Sequence, residues 1–140
     1  MTIPGTQYEN TVLVPEARRE GFLPELFGRS LLIVGENTVY SLMEWLSPQD
    51  YGGGFWNFYE YRGSPLFLAP TSKPRFRIAC PTNDYQGEVS AEAAGIIATL
   101  FAFSHLSLRY RLDRLADGYE RLYGHAGEHP EAAEIFQAID

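Results

Sequence analysis

Residues 52–61 read Gly-Gly-Gly-Phe-Trp-Asn-Phe-Tyr-Glu-Tyr, and the change of composition inside that stretch decides the fold class. Three consecutive glycines disfavour helix, and the aromatic run behind them packs best on a pleated surface, so a strand is predicted over Phe55–Tyr61. Side chains alternate along a strand, which puts Trp56 and Phe58 on one face and Tyr59 and Tyr61 on the other. Whichever set faces away from the core supplies a recognition surface; the pattern alone leaves open which one it is.

Working outward, Arg62 to Pro65 is turn-like and Leu66–Ala69 reads as a second strand. A loop follows from Pro70 to Pro74. Arg75–Cys80 alternates, with Arg75 and Arg77 outward and Phe76 and Ile78 inward. After a turn at Pro81 to Asp84, Tyr85–Val89 supplies a fourth short strand. The middle of the chain therefore reads as an antiparallel meander with one face covered. The cover begins at Ser90, an N-cap with Glu92 in the first helical turn, followed by Ala93–Leu108, apolar nearly all round. Leu112, Leu115, Ala116, Tyr119 and Leu122 give a second helical stripe ending at Gly124. Ala132, Ile135, Phe136 and Ile139 give a third, with Pro130 at its start. Upstream, Pro24 suits the first position of a short helix ending near Gly28, and Leu31–Val34 is too short an apolar run to classify. Val39, Leu42, Met43 and Leu46 mark an amphipathic helix over Gly35–Leu46, stopped by Ser47 and Pro48. Met1 to Pro15 is polar and aperiodic, a flexible arm ahead of a single domain over residues 16–140. The fold class is α+β: a small antiparallel meander packed against a helical layer.

The chain has 140 residues, 45% of them hydrophobic, enough for one compact core. Its net charge of −7, from 11 bases and 18 acids, argues against tight binding to bare DNA, because phosphate contacts need clustered cations. It is equally far from a DNA mimic, since duplex carries one negative charge per ~1.7 Å of axis. Any partner is then a protein, or a protein already on DNA. Pro4, Glu9 and Asn10 interrupt the position where a secretory signal would lie, and Ala93–Leu108 falls short of the ~20 residues needed to span a bilayer. Cys80 stands alone, so neither an intrachain disulfide nor a cysteine-built zinc site is available. A cytoplasmic protein without membrane association is expected.

His125, Glu128 and His129 spell H-x-x-E-H, the string of a metalloprotease motif, and define the alternative reading: a small metal-dependent hydrolase. Gly124, Gly127 and Pro130 bracket that pair and place it in a connection between helices, where the two rings would not share a helix face. His105, on the apolar helix, reads as a hydrogen-bonded core histidine. Glycines 52–54 precede a strand and lack the lysine of a phosphate-binding loop. The most asymmetric feature is the tail: no lysine or arginine follows Arg121, while Glu128, Glu131, Glu134 and Asp140 are acidic. With Ala132, Ile135, Phe136 and Ile139 inward, Glu131, Glu134 and Asp140 should project to solvent. Asp140 also sits at the negative end of the helix dipole, where stability does not explain it. The candidate partner-binding residues are Asp140, Glu134, Glu131, Tyr59 and Tyr61, with no catalytic residue, cofactor or metal.

Several blocks together resemble the antirestriction family named after ArdB and KlcA. They are Phe22-Leu23-Pro24 with Phe27-Gly28, the run Tyr51-Gly52-Gly53-Gly54-Phe55-Trp56-Asn57-Phe58-Tyr59, Phe67-Leu68-Ala69-Pro70, the alanine-rich segment from Gly87 to Ala102, and the end from Glu131 to Asp140. The resemblance covers nearly everything after the N-terminal arm. It implies a monomeric α+β protein of the bacterial cytoplasm, carried on plasmids or genomic islands, that relieves type I restriction without strong DNA mimicry. The implied partner is the type I restriction machinery or an associated host protein.

Overall fold

The computed structural model describes residues 11–140; of the arm expected over residues 1–15, the first ten lie outside them. The order is β1 (Thr11–Leu13), a 3-10 turn at Glu16–Gly21, α1 (Phe22–Phe27), a second 3-10 turn at Arg29–Leu31, and α2 (Leu32–Leu46). Four strands follow, β2 (Trp56–Tyr61), β3 (Ser64–Pro70), β4 (Arg75–Cys80) and β5 (Tyr85–Ser90), and then α3 (Ala91–Tyr110), α4 (Asp113–Ala126) and α5 (Ala132–Ile139). The α+β class is as expected. Thr11–Leu13, assigned by sequence to the arm, pairs antiparallel with β2. The unclassified run at residues 31–34 is split: Leu31 ends the second 3-10 turn and the rest opens α2. Pro24 is the third residue of α1, a position where a backbone N–H still has no intrahelical acceptor and its loss is harmless.

The strands do not form one meander. They form a three-stranded sheet, β1-β2-β3, and a separate β4-β5 hairpin. The β2-β3 connection is a two-residue turn with Arg62 and Gly63 both at positive φ (51° and 79°), the geometry that matches strand twist. The next connection fails to pair because α3 already occupies the free edge of β3. Thr99 Oγ1 stands 3.5 Å from Leu68 N and 3.4 Å from Leu68 O. One turn earlier, a Cβ on Gly95 would lie 2.4 Å from Leu68 O and 2.5 Å from Ala69 Cα. The helix takes the place of a fourth strand, and residues 65–70 of β3 are all buried.

Ser90 caps α3 as expected, its Oγ accepting from Ala93 N at 3.1 Å, and the helix ends at Arg111 in the left-handed region. Ile96, Ile97, Leu100 and Phe103 of α3 form the centre of the core with Phe27, Met43, Phe67 and Phe76. By length and composition α3 is apolar enough to cross a bilayer, but most of its apolar surface is covered by β3, α2 and α4. Its exposed stripe includes His105, which is therefore no core histidine; it lines an open groove between α2 and α3 with Val34 and Leu42.

Candidate functional site

The aromatic strand resolves clearly. Trp56 and Phe58 are the inner set and Tyr59 and Tyr61 the outer set. The outer set is not an open platform: Tyr59 stacks on Phe67 at 4.8 Å and 11°, and the Tyr61 ring lies 4.5 Å from that of His125. Between them Glu60 is buried, its carboxylate gripped by Arg18 through bonds of 2.9 and 2.7 Å that hold it below the usual carboxylate range. Arg19 lies over the rings of Phe55 and Phe58 at 4.5 and 3.9 Å and donates to Trp56 O. These two arginines tie the first 3-10 turn to β2, a contact between segments too far apart in sequence for local pattern to show.

The H-x-x-E-H string does not assemble a metal centre. His125 lies in the last turn of α4, which runs through Gly124 rather than stopping there, so the connection proper is residues 127–131. Burial pushes the His125 imidazole below its ordinary value. His129 turns elsewhere: its Nδ1 accepts from Glu131 N at 2.9 Å, which leaves the proton on Nε2, 2.8 Å from Glu92 Oε1. That geometry fixes the neutral tautomer donating to a buried carboxylate. Glu128 is exposed and takes no part. No group of three or more potential ligating side chains exists among the described residues.

The acidic tail is divided by the fold. Glu131 is only part-exposed and turns into the fold: both its oxygens accept from Ser90 N at 3.1 Å and one also accepts from Ser90 Oγ at 3.0 Å, bracing the start of α3. Helical periodicity could not show this because Glu131 precedes α5 and its partner lies 41 residues away. Glu134 and Asp140 are exposed but on different flanks. The charge of Glu134 raises the Tyr85 hydroxyl on the β5 side, after burial has raised it. Asp140 acts on Tyr119 of α4, whose hydroxyl is raised first by burial, then by Tyr123, then by Asp140.

Sequence reasoning missed the rings that the charge of Asp140 reaches. Tyr119 and Tyr123 stack at 5.8 Å, and Tyr123 meets Phe136 of α5 at 5.0 Å, making a rank of rings across the α4/α5 junction. The signal is present as an i, i+4 tyrosine pair, but Tyr119 also fits the apolar stripe of α4. Asp113, Asp117 and Glu120 stand exposed along α4. Its two arginines turn away from the rank, Arg114 donating to Glu25 O and Arg121 to Pro65 O.

Elsewhere, a groove of about 450 Å³ runs between the end of α2 and the β4-β5 hairpin, lined by Leu46, Pro48, Gln49, Arg77 and Gln86 among others. Its charged residue, Arg77, is held by Asp50 through bonds of 2.9 and 2.8 Å. Asp50 also accepts from Arg77 N and Lys73 Nζ, and these donors keep its carboxyl well below the usual range.

A family model described as antirestriction protein matches residues 49–140. Two Escherichia coli proteins named antirestriction protein KlcA are 42% and 44% identical, each over 91% of this chain and covering 92% and 90% of their own lengths. The uncharacterized protein YafX of Escherichia coli K12 is 34% identical over 96% of this chain and 90% of its own. Among solved structures, one matches with a TM-score of 0.83 and 42% identity over 93% of this chain and 94% of its own. It comes from work reporting that KlcA and ArdB show a novel fold and antirestriction activity against type I DNA restriction systems in vivo but not in vitro.

Proposed function

The chain belongs to the antirestriction protein family, and from that premise we propose that it relieves type I DNA restriction in a bacterial cell by contact with a protein, without catalysis of its own. One observation carries the reading: a relative with type I antirestriction activity in vivo shares this fold across 93% of the chain at 42% identity. Activity of that relative in vivo but not in vitro supports a requirement for the cellular setting. The partner is then the restriction machinery as it works in the cell, or a host protein associated with it. The reading without catalysis is supported by three little-exposed carboxylates being taken up in pairs: Glu60 with Arg18, Asp50 with Arg77 and Lys73, Glu92 with His129. Such pairs stabilise and position side chains rather than activate a nucleophile.

Of the five residues expected to meet a partner, Asp140 and Glu134 keep that role as exposed acids. Glu131 braces α3, and Tyr59 and Tyr61 pack within the fold. We place the protein in the cytoplasm as a monomer with no cofactor. The test is the plating of unmodified phage on a type I restricting host with and without the protein. Expression should raise the plating efficiency, and equal plating at normal protein levels would overturn the proposal.

A further inference from the structure

The ring rank of Tyr119, Tyr123 and Phe136 runs across two elements and is open, with Tyr123 43% exposed. The charge around it has one sign. Glu120, next to Tyr119 and one turn from Tyr123, stands exposed on α4, Asp140 is exposed at the end of α5 with its charge acting on the Tyr119 hydroxyl, and α5 contains neither lysine nor arginine. Both arginines of α4 are bonded to backbone carbonyls on its opposite flank. The face of an aromatic ring carries negative potential and attracts cations, and the carboxylates at the edge add to it. Nucleic acid and anionic lipid are repelled by the same field. Between the two cationic side chains, guanidinium is the better fit. It is planar, stacks on a ring, sheds water more readily than ammonium, and offers parallel N–H donors to a carboxylate.

We propose that the α4/α5 face docks an arginine-bearing segment of a partner protein, the guanidinium stacking on Tyr123 and Tyr119 while Asp140 and Glu120 accept its N–H bonds. This rests on the reading that the protein acts by contact. It differs from DNA mimicry, which needs a dense array of charge; here a few carboxylates orient a contact whose area comes from the rings. It also gives Asp140, misplaced for helix stability, a reason to be acidic.

The experiment is a titration of the isotope-labelled full chain, followed by backbone amide shifts, with hexa-arginine, hexa-lysine and hexa-glutamate peptides. Hexa-arginine should shift amides around Tyr119, Tyr123 and Asp140 and bind about fivefold or more tightly than hexa-lysine; hexa-glutamate should not bind. Tyr123→Ser and Asp140→Asn should each weaken the arginine peptide by a similar factor with melting temperature unchanged, Asp140→Asn deciding if Tyr123→Ser misfolds. No binding of hexa-arginine, shifts scattered over other surfaces, or equal binding of the arginine and lysine peptides overturns the assignment. In cells, Tyr123→Ser at normal abundance should lose relief of restriction, while Leu108→Ser, at an exposed site on α3, should retain it. Failure of the wild-type chain to relieve restriction overturns the function; relief by the wild type and by both face variants alike overturns the docking face alone.

Discussion

Gly95 sits where α3 crosses the edge of β3, and the 2.4 Å that an added Cβ would leave to Leu68 O makes it the position least tolerant of a methyl group. The obstructing atoms are backbone and cannot rotate away, so Gly95→Ala must push helix and strand apart. Overpacking of this kind costs about 1–3 kcal/mol, and urea unfolding of Gly95→Ala against wild type should show a loss in that range. A wild-type midpoint would mean the crossing is looser than described. Three titratable residues set a second expectation. Asp50 and Glu60 are held below their ordinary values of 3.8 and 4.5, by bonds from Arg77 and Arg18 respectively, and burial holds His125 below 6.5. In each case the unfolded chain takes up the proton first, so the stability these groups contribute is present above the unfolded value and is lost as pH falls toward the folded one. Melting temperature should therefore fall on acidification, beginning below about pH 6.5 with His125 and continuing through the carboxylate range. His125→Gln should remove the first stage alone, and a melting temperature flat from neutrality to the carboxylate range would contradict the burial of His125.

At the scale of elements, the turn between α4 and α5 is tied to the start of α3 by Glu131 on Ser90 and His129 on Glu92. Asn83 of the β4-β5 turn donates to Ala138 O at the end of α5, so α5 is held at both ends by elements remote in sequence. Glu131→Ala removes the acceptor of a partly buried N–H and should cost about 1 kcal/mol, the low end for an unmatched donor. Because Ser90 Oγ still accepts from Ala93 N, the helix should persist, with hydrogen exchange rising at residues 127–140 before the rest. Uniform loss of protection would contradict this order. The same brace marks the limit of what periodicity can reveal. The strand over Trp56–Tyr61, the alternation of Arg75–Cys80 and the Ser90 cap were legible because each depends on neighbours a few residues apart. The division into two sheets was not, because it turns on Thr99 and Gly95 meeting a strand some thirty residues earlier. For the same reason the sequence offers Tyr59, Tyr61 and Glu131 as candidates for a partner without showing what covers them. Alternation separates inside from outside of one element but cannot show that a second element covers the outside. Asp140 and Glu134 were placed correctly at the surface, while the rings that the charge of Asp140 reaches went unrecognised because α4 and α5 meet only in three dimensions.

For the molecule as a whole, net charge alone understates how little cationic surface is offered to a phosphate backbone. Of the 11 basic residues, Arg18, Lys73, Arg75 and Arg77 are paired with carboxylates, and Arg19, Arg114 and Arg121 donate to backbone carbonyls. Arg62 and Arg109 lie over tyrosine rings. Arg29 and Arg111 stand outside those pairings, and two cations release too few counterions to hold a duplex at physiological salt. The exposed carboxylates of α4 and Asp140 add repulsion over one whole face. A mobility-shift titration with random duplex should therefore give no complex below micromolar protein, and lowering the salt should improve binding little, since the slope of affinity against salt tracks the number of phosphates neutralised. A sub-micromolar complex with a steep salt dependence would require those paired arginines to let go of their partners on binding. It would move the protein's target from the restriction machinery to the DNA on which that machinery works.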